Sequence, residues 1–338
     1  MTRKKDHEVV NVTDLKTWIP KLAGVRIIVV GDVILDEYLT GRATRMSREA
    51  PIPVLEFESR RLIGGGAANP AANIVTLGGE ALQVGVVGVD GEADALRQTL
   101  AARGIDVRGL IADGERPTTV KTRLMAQMGL RFPQQVARLD KLSRALIPAA
   151  IERQLCAFIE VEIDGVNALL FSDYDGGVIT KSLLAAVHGL RGDHLLTADA
   201  QGQFDKYAGF DVIKCNADDA RAYLRRDLRT HEEFALAARE LCAALRLGQG
   251  MVITRGGDGA TVCTPDGAVY QCPTPTITDV YDTVGAGDTS IAVLTQALAA
   301  GAPLVEAAML ANIASGSVVR RVGNYAPTPD ELVAAIPS

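Results

Sequence analysis

The chain has 338 residues, of which 48% are hydrophobic and 22% charged, a composition typical of packed globular proteins. Its formal net charge of −6 and its aromatic content of 4% argue against nucleic acid as a partner. No apolar run reaches the roughly 18 residues of a membrane-spanning helix, and the first residues lack the apolar core of a signal peptide. We therefore expect no membrane partner.

The cysteines and histidines indicate neither disulfides nor a metal centre. Five cysteines are scattered without a C-x-x-C pair, which is typical of reduced thiols in a cytoplasmic protein. The four histidines are not spaced as a metal-binding pair, so we expect no zinc or iron site.

Strand and helix patterns alternate along most of the chain. Short apolar runs rich in Val, Ile and Leu predict buried strands at 26–30, 82–88, 167–171, 194–199, 211–215 and 251–254. Between them, helical patterns occupy 69–79, 92–104, 147–160, 179–190, 217–226 and 232–248. This alternation predicts βαβ units and a largely parallel sheet, whose ligands bind beyond the carboxyl ends of the strands.

Three other segments predict β structure of a different kind. PIPVLEFES at 51–59 alternates and is bounded by prolines, as in an edge strand. Residues 117–139 also alternate in places, and MGLRFP within them is suited to a hairpin turn. These two segments predict a small β layer outside the main sheet. In 260–273, a Pro-Asp-Gly turn predicts a further hairpin.

The stretch YDTVGAGDTSIAVLTQALAAG at 281–301 joins a glycine turn to an apolar helical pattern. Unpaired N–H groups and the helix dipole at such a start favour an anion, and small residues let a phosphate approach the backbone. Asp288 at this junction has two interpretations. It is either an acid that stabilises the first turn of the helix or a base held beside an anion site.

Three other motifs are each ambiguous alone. The glycines of LIGGGAAN at 62–69 either make a tight turn or approach a small polar ligand, with Asn69 binding hydroxyls. Asp32 and Asp36 in VVGDVILDEY are either solvated loop acids or acceptors for sugar hydroxyls. In VITRGGDGA, Thr254 and Gly257 could lie near a nucleotide. The chain lacks a P-loop, a G-x-G-x-x-G turn in its first βα unit and a G-x-S-x-G elbow, which disfavours three common enzyme classes.

In their order, GDVILD, GGGAAN, NADD, TRGGDG and DTVGAGD resemble the motifs of the ribokinase, or PfkB, family of carbohydrate kinases. The resemblance covers residues 25–336. MSREAPIPVLE, QQVARLD and FSDYDGG are similar to segments of bacterial heptose 7-phosphate kinases in particular. Many of those enzymes carry a fused nucleotidyltransferase half, and we expect only the kinase half in this chain.

The resemblance implies an α/β fold, a ribokinase-like three-layer α/β/α sandwich with a mainly parallel central sheet and a small β-sheet lid. Residues 1–24 would form an N-terminal extension and residues 25–338 the kinase domain. The lid strands would come from about 38–60 and 115–140, and the lid would also build a homodimer.

The resemblance also implies a role for each motif residue. Asp288 would be the catalytic base, and the amides of Gly285, Ala286 and Gly287 would bind the moving phosphoryl group. The sugar would be held by Asp36, Gly65, Gly66, Asn69 and Arg138. ATP and Mg²⁺ would be bound near Asn216, Asp219, Thr254, Gly257 and Asn312. A monovalent cation such as K⁺ would be bound by Asp282, Val284, Val319, Val322 and Asn324.

Three positions depart from the family pattern. Asp219 stands in place of a glutamate, and the lysines of a D-Y-A-K-G and a D-P-K-G pattern are missing at Asp175-Gly176 and at Gln201. Arg45, Arg48 or Arg138 could supply the missing positive charge.

We therefore predict transfer of the ATP γ-phosphate to a sugar hydroxyl, first of all the anomeric hydroxyl of a heptose 7-phosphate. The alternatives are a kinase for another sugar or a nucleoside, and a catalytically weak sensor of sugars or nucleotides.

Overall fold

The computed structural model describes residues 12–128, 133–274, 282–321 and 323–337. Within these ranges, nine strands form a main sheet and four form a smaller sheet. The main sheet consists of β1 (Arg26–Gly31), β4 (Glu80–Val87), β5 (Asp106–Ala112), β8 (Ala168–Ser172), β9 (Leu195–Asp199), β10 (Val212–Asn216), β11 (Gly250–Thr254), β12 (Ala260–Cys263) and β13 (Val269–Cys272). The smaller sheet consists of β2 (Val33–Met46), β3 (Pro53–Gly66), β6 (Val120–Gln127) and β7 (Gln134–Lys141).

The main sheet is parallel except at one edge. Its strands lie in the order β13-β12-β11-β10-β9-β8-β1-β4-β5, and only β12 and β13 are antiparallel to their neighbours. The order changes direction at β1, which pairs with β8 on one side and with β4 on the other. In parallel sheets, ligands bind beyond the carboxyl ends of the strands at such a point. The ends of β1, β8, β9 and β10 therefore locate the candidate site.

Helices cover both faces of the main sheet. They are α1 (Ile19–Leu22), α2 (Ala68–Thr76), α3 (Gly91–Ala101), α4 (Ala149–Glu162), α5 (Lys181–Leu190), α6 (Ala217–Leu224), α7 (His231–Leu245), α8 (Ala286–Ala299), α9 (Leu304–Val318) and α10 (Pro329–Ala335). Strand β1 shows why both faces are covered, since Ile27 and Val29 pack into one apolar core and Ile28 and Val30 into the other. The predicted three-layer sandwich is confirmed. Among the described residues, no helix combines the length and apolar character needed to span a bilayer.

The smaller sheet lies outside the main one, with its strands in the order β3-β2-β6-β7. Strands β2 and β3 pair antiparallel along their whole length, from Val33 opposite Gly66 to Met46 opposite Pro53. The two strands extend beyond the 38–60 segment expected from the sequence, because β2 begins at Val33 and β3 ends at Gly66. Asp36 therefore lies within a strand rather than in a loop. Most of the turn of MGLRFP, residues 129–132, lies outside the described residues.

Helix α9 is an element that the sequence patterns did not predict. Most of its residues are buried, including Leu304, Leu310, Ile313 and Val318. A helix that is apolar all round lacks the one-sided stripe by which helices are recognised in a sequence.

The chain before β1 packs against the core. A 3-10 helix (Val12–Thr17) precedes α1, and Leu15, Ile19 and Leu22 are buried. The amide of Gln296 on α8 donates to the carbonyl of Leu22 at 2.8 Å. The expected N-terminal extension thus includes residues that contact a helix of the core; residues 1–11 lie outside the described ranges.

Candidate active site

The candidate site begins at the N-terminus of α8. Gly285 precedes the helix with φ +82°, and a Cβ there would lie 2.7 Å from Nδ2 of Asn69, so glycine is required for two reasons. The helix has no side-chain N-cap. Among the described residues, the N–H groups of Gly287 and Asp288 have no acceptor, whereas that of Ala286 donates to Thr283 at 3.3 Å. Unpaired donors at a helix start are suited to an anion.

Asp288 lies in the first turn of this helix and is buried, with 6% of its surface exposed. Its Oδ2 accepts a hydrogen bond from Nδ2 of Asn69 at 2.9 Å, and its Oδ1 accepts one from the hydroxyl of Tyr174. Burial raises the pKa of Asp288 to about 6, although these two hydrogen bonds oppose the shift. A carboxyl group with this pKa is mostly ionised at neutral pH and can still take a proton, as a general base must.

A buried lysine lies behind the helix start. Lys214 on β10 is 3% exposed, and its Nζ is 2.7 Å from Oδ2 of Asp199 and 3.1 Å from the carbonyl oxygen of Gly287. The ammonium thus ties the end of β9 to the first turn of α8. Sequence reasoning missed this residue, although a lysine inside the apolar run DVIKC was a signal for it.

Two of the residues expected to hold a sugar, Asp36 and Gly65, contact each other where β2 pairs with β3, whereas Asn69 contacts Asp288. Asp36 is buried, and its carboxylate accepts from Nη1 of Arg123 at 2.5 Å and from Nδ2 of Asn324 at 2.8 Å. A Cβ on Gly65 would lie 2.1 Å from Oδ2 of Asp36, so only glycine fits there. Gly66 follows with φ +55°. Arg123 was missed from the sequence, because its partner is 87 positions away.

A cavity of about 420 Å³ opens between the smaller sheet and the loop after β8. Lys121, Arg138 and Arg144 contribute positive charge to its wall. Arg138 is paired with Asp140 at 2.8 Å and Arg144 with Asp175 at 3.8 Å. Lys121 has no carboxylate partner among the described residues, and its Nζ lies 5.4 Å from the ring centre of Tyr174.

The two other arginines suggested from the sequence lie elsewhere. Arg45 and Arg48 are exposed and do not line the cavity. Gln201, which stands where the family pattern has lysine, does line it.

Asp32, after β1, fixes the loop that follows β8. Its carboxylate accepts N–H groups from Tyr174 at 2.8 Å, Gly176 at 3.0 Å and Val178 at 3.3 Å. Burial raises the pKa of Asp32, and these three hydrogen bonds oppose the shift. The carboxylate is therefore used for the backbone rather than being solvated.

The residues expected to bind the nucleotide lie along the ends of the next strands. Asn216 and Thr254 are opposite each other in β10 and β11. Oδ1 of Asn216 caps α6 by accepting the N–H of Asp219 at 2.8 Å. Burial, and then the nearby Asp199 carboxylate, raise the pKa of Asp219. Gly257 lies in the 3-10 turn Gly256–Asp258 just after β11.

Asn312 reaches the strand beside that glycine turn, since a Cβ on Gly259, which ends the turn, would lie 2.1 Å from the carbonyl oxygen of Cys272. It lies on α9 and donates to the carbonyl of Cys272 on β13 at 2.9 Å.

The segments expected to bind a monovalent cation also meet. Asp282 accepts the N–H groups of Val284 at 3.0 Å and Gly323 at 2.8 Å, and its own N–H donates to Val319 at 3.1 Å. The side chain of Asn324 points instead to Asp36. Val322 lies outside the described residues.

A mainly parallel α/β sandwich with a smaller outer sheet and a buried carboxylate at an uncapped helix start is the arrangement expected of a ribokinase-like phosphotransferase. Residues 26–331 match the pfkB family of carbohydrate kinases. The chain belongs to this family of carbohydrate kinases.

Curated relatives show the same resemblance. The "Bifunctional protein HldE" of Geotalea uraniireducens is 37% identical over 315 residues, which cover 92% of this chain and 63% of the relative. The protein of the same name from Hyphomonas neptunium is also 37% identical, over 323 residues that cover 94% of this chain and 64% of the relative. The chain thus spans less than two thirds of the length of these relatives.

Solved structures share the fold at low identity. Arabidopsis thaliana ribokinase in complex with ribose and ATP superposes with a TM-score of 0.70 at 16% identity, covering 93% of this chain and 99% of that one. Phosphofructokinase-2 of Escherichia coli, in complex with substrates and products, has a TM-score of 0.73 at 18% identity, covering 93% and 98%.

Proposed function

We propose that this protein transfers the γ-phosphoryl group of ATP to the anomeric hydroxyl of a heptose 7-phosphate. The observation that carries the transfer chemistry is the buried Asp288 beside unpaired N–H groups at the start of α8. The anomeric oxygen attacks the γ-phosphorus while the bond to the bridging oxygen of ADP breaks. Asp288 would take the hydroxyl proton, and the amides of Gly285, Ala286 and Gly287 would stabilise the charge on the moving group. Of these, the N–H of Gly287 is unpaired among the described residues, whereas that of Ala286 would have to leave the carbonyl of Thr283.

The sugar would lie between the smaller sheet and α8. Asp36, Asn69 and the backbone of Gly65 and Gly66 would bind its hydroxyls. This is supported by the hydrogen bond from Asn69 to Asp288 and by Asn324, which donates to Asp36 and lies against the turn at Gly285. The phosphate end would extend into the cavity towards Lys121 and Arg138. These cations would replace the lysines missing from the loop after β8 and from Gln201.

Asn216, Asp219, Thr254, Gly257 and Asn312 would border the nucleotide. No group of three or more His, Cys, Asp or Glu side chains in the described ranges is arranged to hold a metal ion. This fits Mg²⁺, which is commonly held by one or two carboxylates together with water and substrate phosphates. When bound, Mg²⁺ would neutralise phosphate charge, and Asp219 is the carboxylate we assign to it.

We assign a monovalent cation to Asp282 and to the backbone around Val284, Val319 and Asn324. Their meeting beside α8 couples this segment to the anion-binding turn. Replacing K⁺ by choline at constant ionic strength should slow ADP release, and an unchanged rate would remove the assignment.

We further propose a cytoplasmic homodimer formed through the smaller sheet. Its two edge strands expose large apolar side chains, among them Phe57 and Leu139, each 70% exposed. The five cysteines are free thiols, as is usual in the cytoplasm. Phe57→Glu should yield a monomer by light scattering if the dimer forms there.

The Asp288→Asn variant tests the kinase mechanism. Sugar-dependent ADP release should fall about 10²- to 10⁴-fold while ATP binding is retained. Asp218→Asn is the matched control, because Asp218 is exposed on α6. Activity of Asp288→Asn near that of the wild type would show that the base is wrongly assigned, and ligand binding without turnover in the wild type would favour a sensor.

A substrate screen tests the sugar. Heptose 7-phosphate should support faster ADP release than free heptose, ribose, fructose 6-phosphate or a nucleoside. Strict activity on unphosphorylated sugars would favour the alternative that the missing lysines suggest.

A further inference from the structure

Tyr174 stands between the cavity and the proposed base. It follows β8, lines the cavity, and donates its hydroxyl hydrogen bond to Oδ1 of Asp288. Asp288 itself is not among the described residues that line the cavity. A sugar hydroxyl entering from the cavity would therefore meet the tyrosine hydroxyl at the oxygen that it needs.

The backbone of Tyr174 is held firmly, which restricts how this side chain can move. Asp32 accepts the N–H groups of Tyr174, Gly176 and Val178. A Cβ on Gly176 would lie 2.5 Å from Oδ1 of Asp32, so the loop is also closely packed against this carboxylate. Displacement of the hydroxyl thus requires rotation of the side chain rather than movement of the loop.

Both oxygens of the base have protein donors. Oδ2 accepts from Asn69, and Oδ1 accepts from Tyr174. Burial and the neighbouring carboxylates raise the pKa of Tyr174 well above its usual value, so the phenol stays protonated and acts as the donor. The tyrosine hydrogen bond is one of the contacts that lower the pKa of Asp288 against the effect of burial.

We infer that Tyr174 is a positioning residue that orients Asp288 in the free enzyme and gives up Oδ1 to the acceptor hydroxyl when the sugar binds. The inference rests on the proposed role of Asp288 as base. Oδ1 of Asp288 would thus accept a hydrogen bond from the hydroxyl of Tyr174 before the sugar binds, and from the acceptor hydroxyl of the sugar afterwards.

Tyr174→Phe tests this exchange through two pH profiles. The profile of kcat/KM reports the free enzyme, whereas that of kcat reports the enzyme–substrate complex. Without the tyrosine hydrogen bond, the pKa of Asp288 in the free enzyme should rise. The midpoint of the acid limb of the kcat/KM profile should therefore move to higher pH by about one unit. The acid limb of kcat should stay in place, because the hydroxyl has already left Oδ1 in the complex. The sugar used is the one that supports the fastest ADP release in the substrate screen.

Tyr207→Phe is the matched control. Tyr207 is fully buried and its hydroxyl donates to Oδ2 of Asp173 at 2.6 Å, but it does not contact Asp288. Its loss should lower the melting temperature without moving either acid limb. If Tyr174→Phe behaves in the same way, Tyr174 is only structural and the inference is overturned. If both limbs move together, the hydroxyl stays on Oδ1 in the complex, which also overturns it.

A second measurement does not depend on the Tyr174→Phe variant being able to fold. With 3-fluorotyrosine at position 174, the ¹⁹F resonance should shift when the same sugar is added and stay in place with a non-hydrolysable ATP analogue. An unmoved resonance in the sugar complex would overturn the inference. If Asp288→Asn keeps wild-type activity, the assignment of Asp288 as the base is wrong. If Asp288→Asn is inactive but Tyr174→Phe leaves the acid limbs of both pH profiles in place, only the inference about Tyr174 is wrong.

Discussion

Asn69 and Asp288, which are 219 positions apart in the chain, are joined by a 2.9 Å hydrogen bond from Nδ2 to Oδ2. Asn69 lies in the first turn of α2 and Asp288 in the first turn of α8, and both side chains are buried. The proposed base is therefore assembled from two helix starts, one near each end of the chain.

The first prediction follows from the pKa of Asp288, which burial raises to about 6. The carboxylate is the active form of a base, so kcat/KM should be half-maximal near pH 6 and fall about tenfold per pH unit below it. In Asn69→Ala, which removes a hydrogen bond that lowers this pKa, the midpoint should move upward. Asn167→Ala, which removes an acceptor for the N–H of Arg26 and has no contact with Asn69 or Asp288, should leave it in place. A midpoint near pH 4 in the wild type would contradict the assignment.

The second prediction concerns stability. Since the pKa of Asp288 is raised from 3.8 to about 6 on folding, the folded state favours the protonated acid. Its contribution to stability is complete below about pH 4 and is lost as the pH rises to about 6, with at most about 3 kcal/mol involved. Asp288→Asn lacks this titration and keeps partners, because an amide can accept from Asn69 and donate to Tyr174.

Urea denaturation at several pH values checks this. The stability of Asp288→Asn relative to the wild type should increase between about pH 4 and pH 6 and then remain level. A difference that is independent of pH would show that burial does not penalise the carboxylate.

The third prediction concerns the buried ammonium of Lys214. Lys214→Met should destabilise the protein by about 3–5 kcal/mol, because Asp199 is left with an unpaired charge. It should also lower kcat about tenfold or more, because the first turn of α8 loses the contact at Gly287. Adding Asp199→Asn should restore much of the stability but not kcat. Arg191→Met, which breaks the Arg191–Asp211 pair away from α8, should leave kcat unchanged. An unaltered kcat in Lys214→Met would exclude a role at the helix start.

The fourth prediction concerns Lys121, a cation on β6 of the smaller sheet. If it grips the phosphate of the sugar, Lys121→Met should raise KM for heptose 7-phosphate about ten- to hundredfold, the value of a charged hydrogen bond. KM for any unphosphorylated sugar that is accepted should change little. Arg45→Met is the control, because Arg45 is exposed outside the cavity. Equal KM values for wild type and Lys121→Met would place the phosphate elsewhere.

The fold could be predicted from the sequence because parallel strands buried on both faces are continuous apolar runs, as Ile27 to Val30 show. The glycine turn before Asp288 was recognisable for a similar reason, since it requires small residues in a fixed local order. Helix α9 was missed because burial on every side removes its periodicity.

The contacts that shape the site were beyond the sequence patterns. Asp36 and Arg123 meet only because β2 and β6 are adjacent in the smaller sheet, a pairing that no local pattern specifies. Tyr174 contacts Asp288 because the loop after β8 lies beside the first turn of α8. Such partners depend on tertiary packing, whereas propensity and periodicity describe only neighbours in sequence.

The short segment before β1 has a consequence for how the chain can be shortened. The carbonyl of Leu22 accepts a hydrogen bond from the side chain of Gln296 on α8. The indole N–H of Trp18 donates to the carboxylate of Glu306 on α9 at 2.6 Å, so this segment contacts both helices. A chain trimmed to start at Arg26 would keep every motif residue of the candidate site. It would nonetheless remove the carbonyl that accepts from Gln296 on α8, the helix that carries Asp288, so we expect lower activity from the loss of a segment that holds no motif residue.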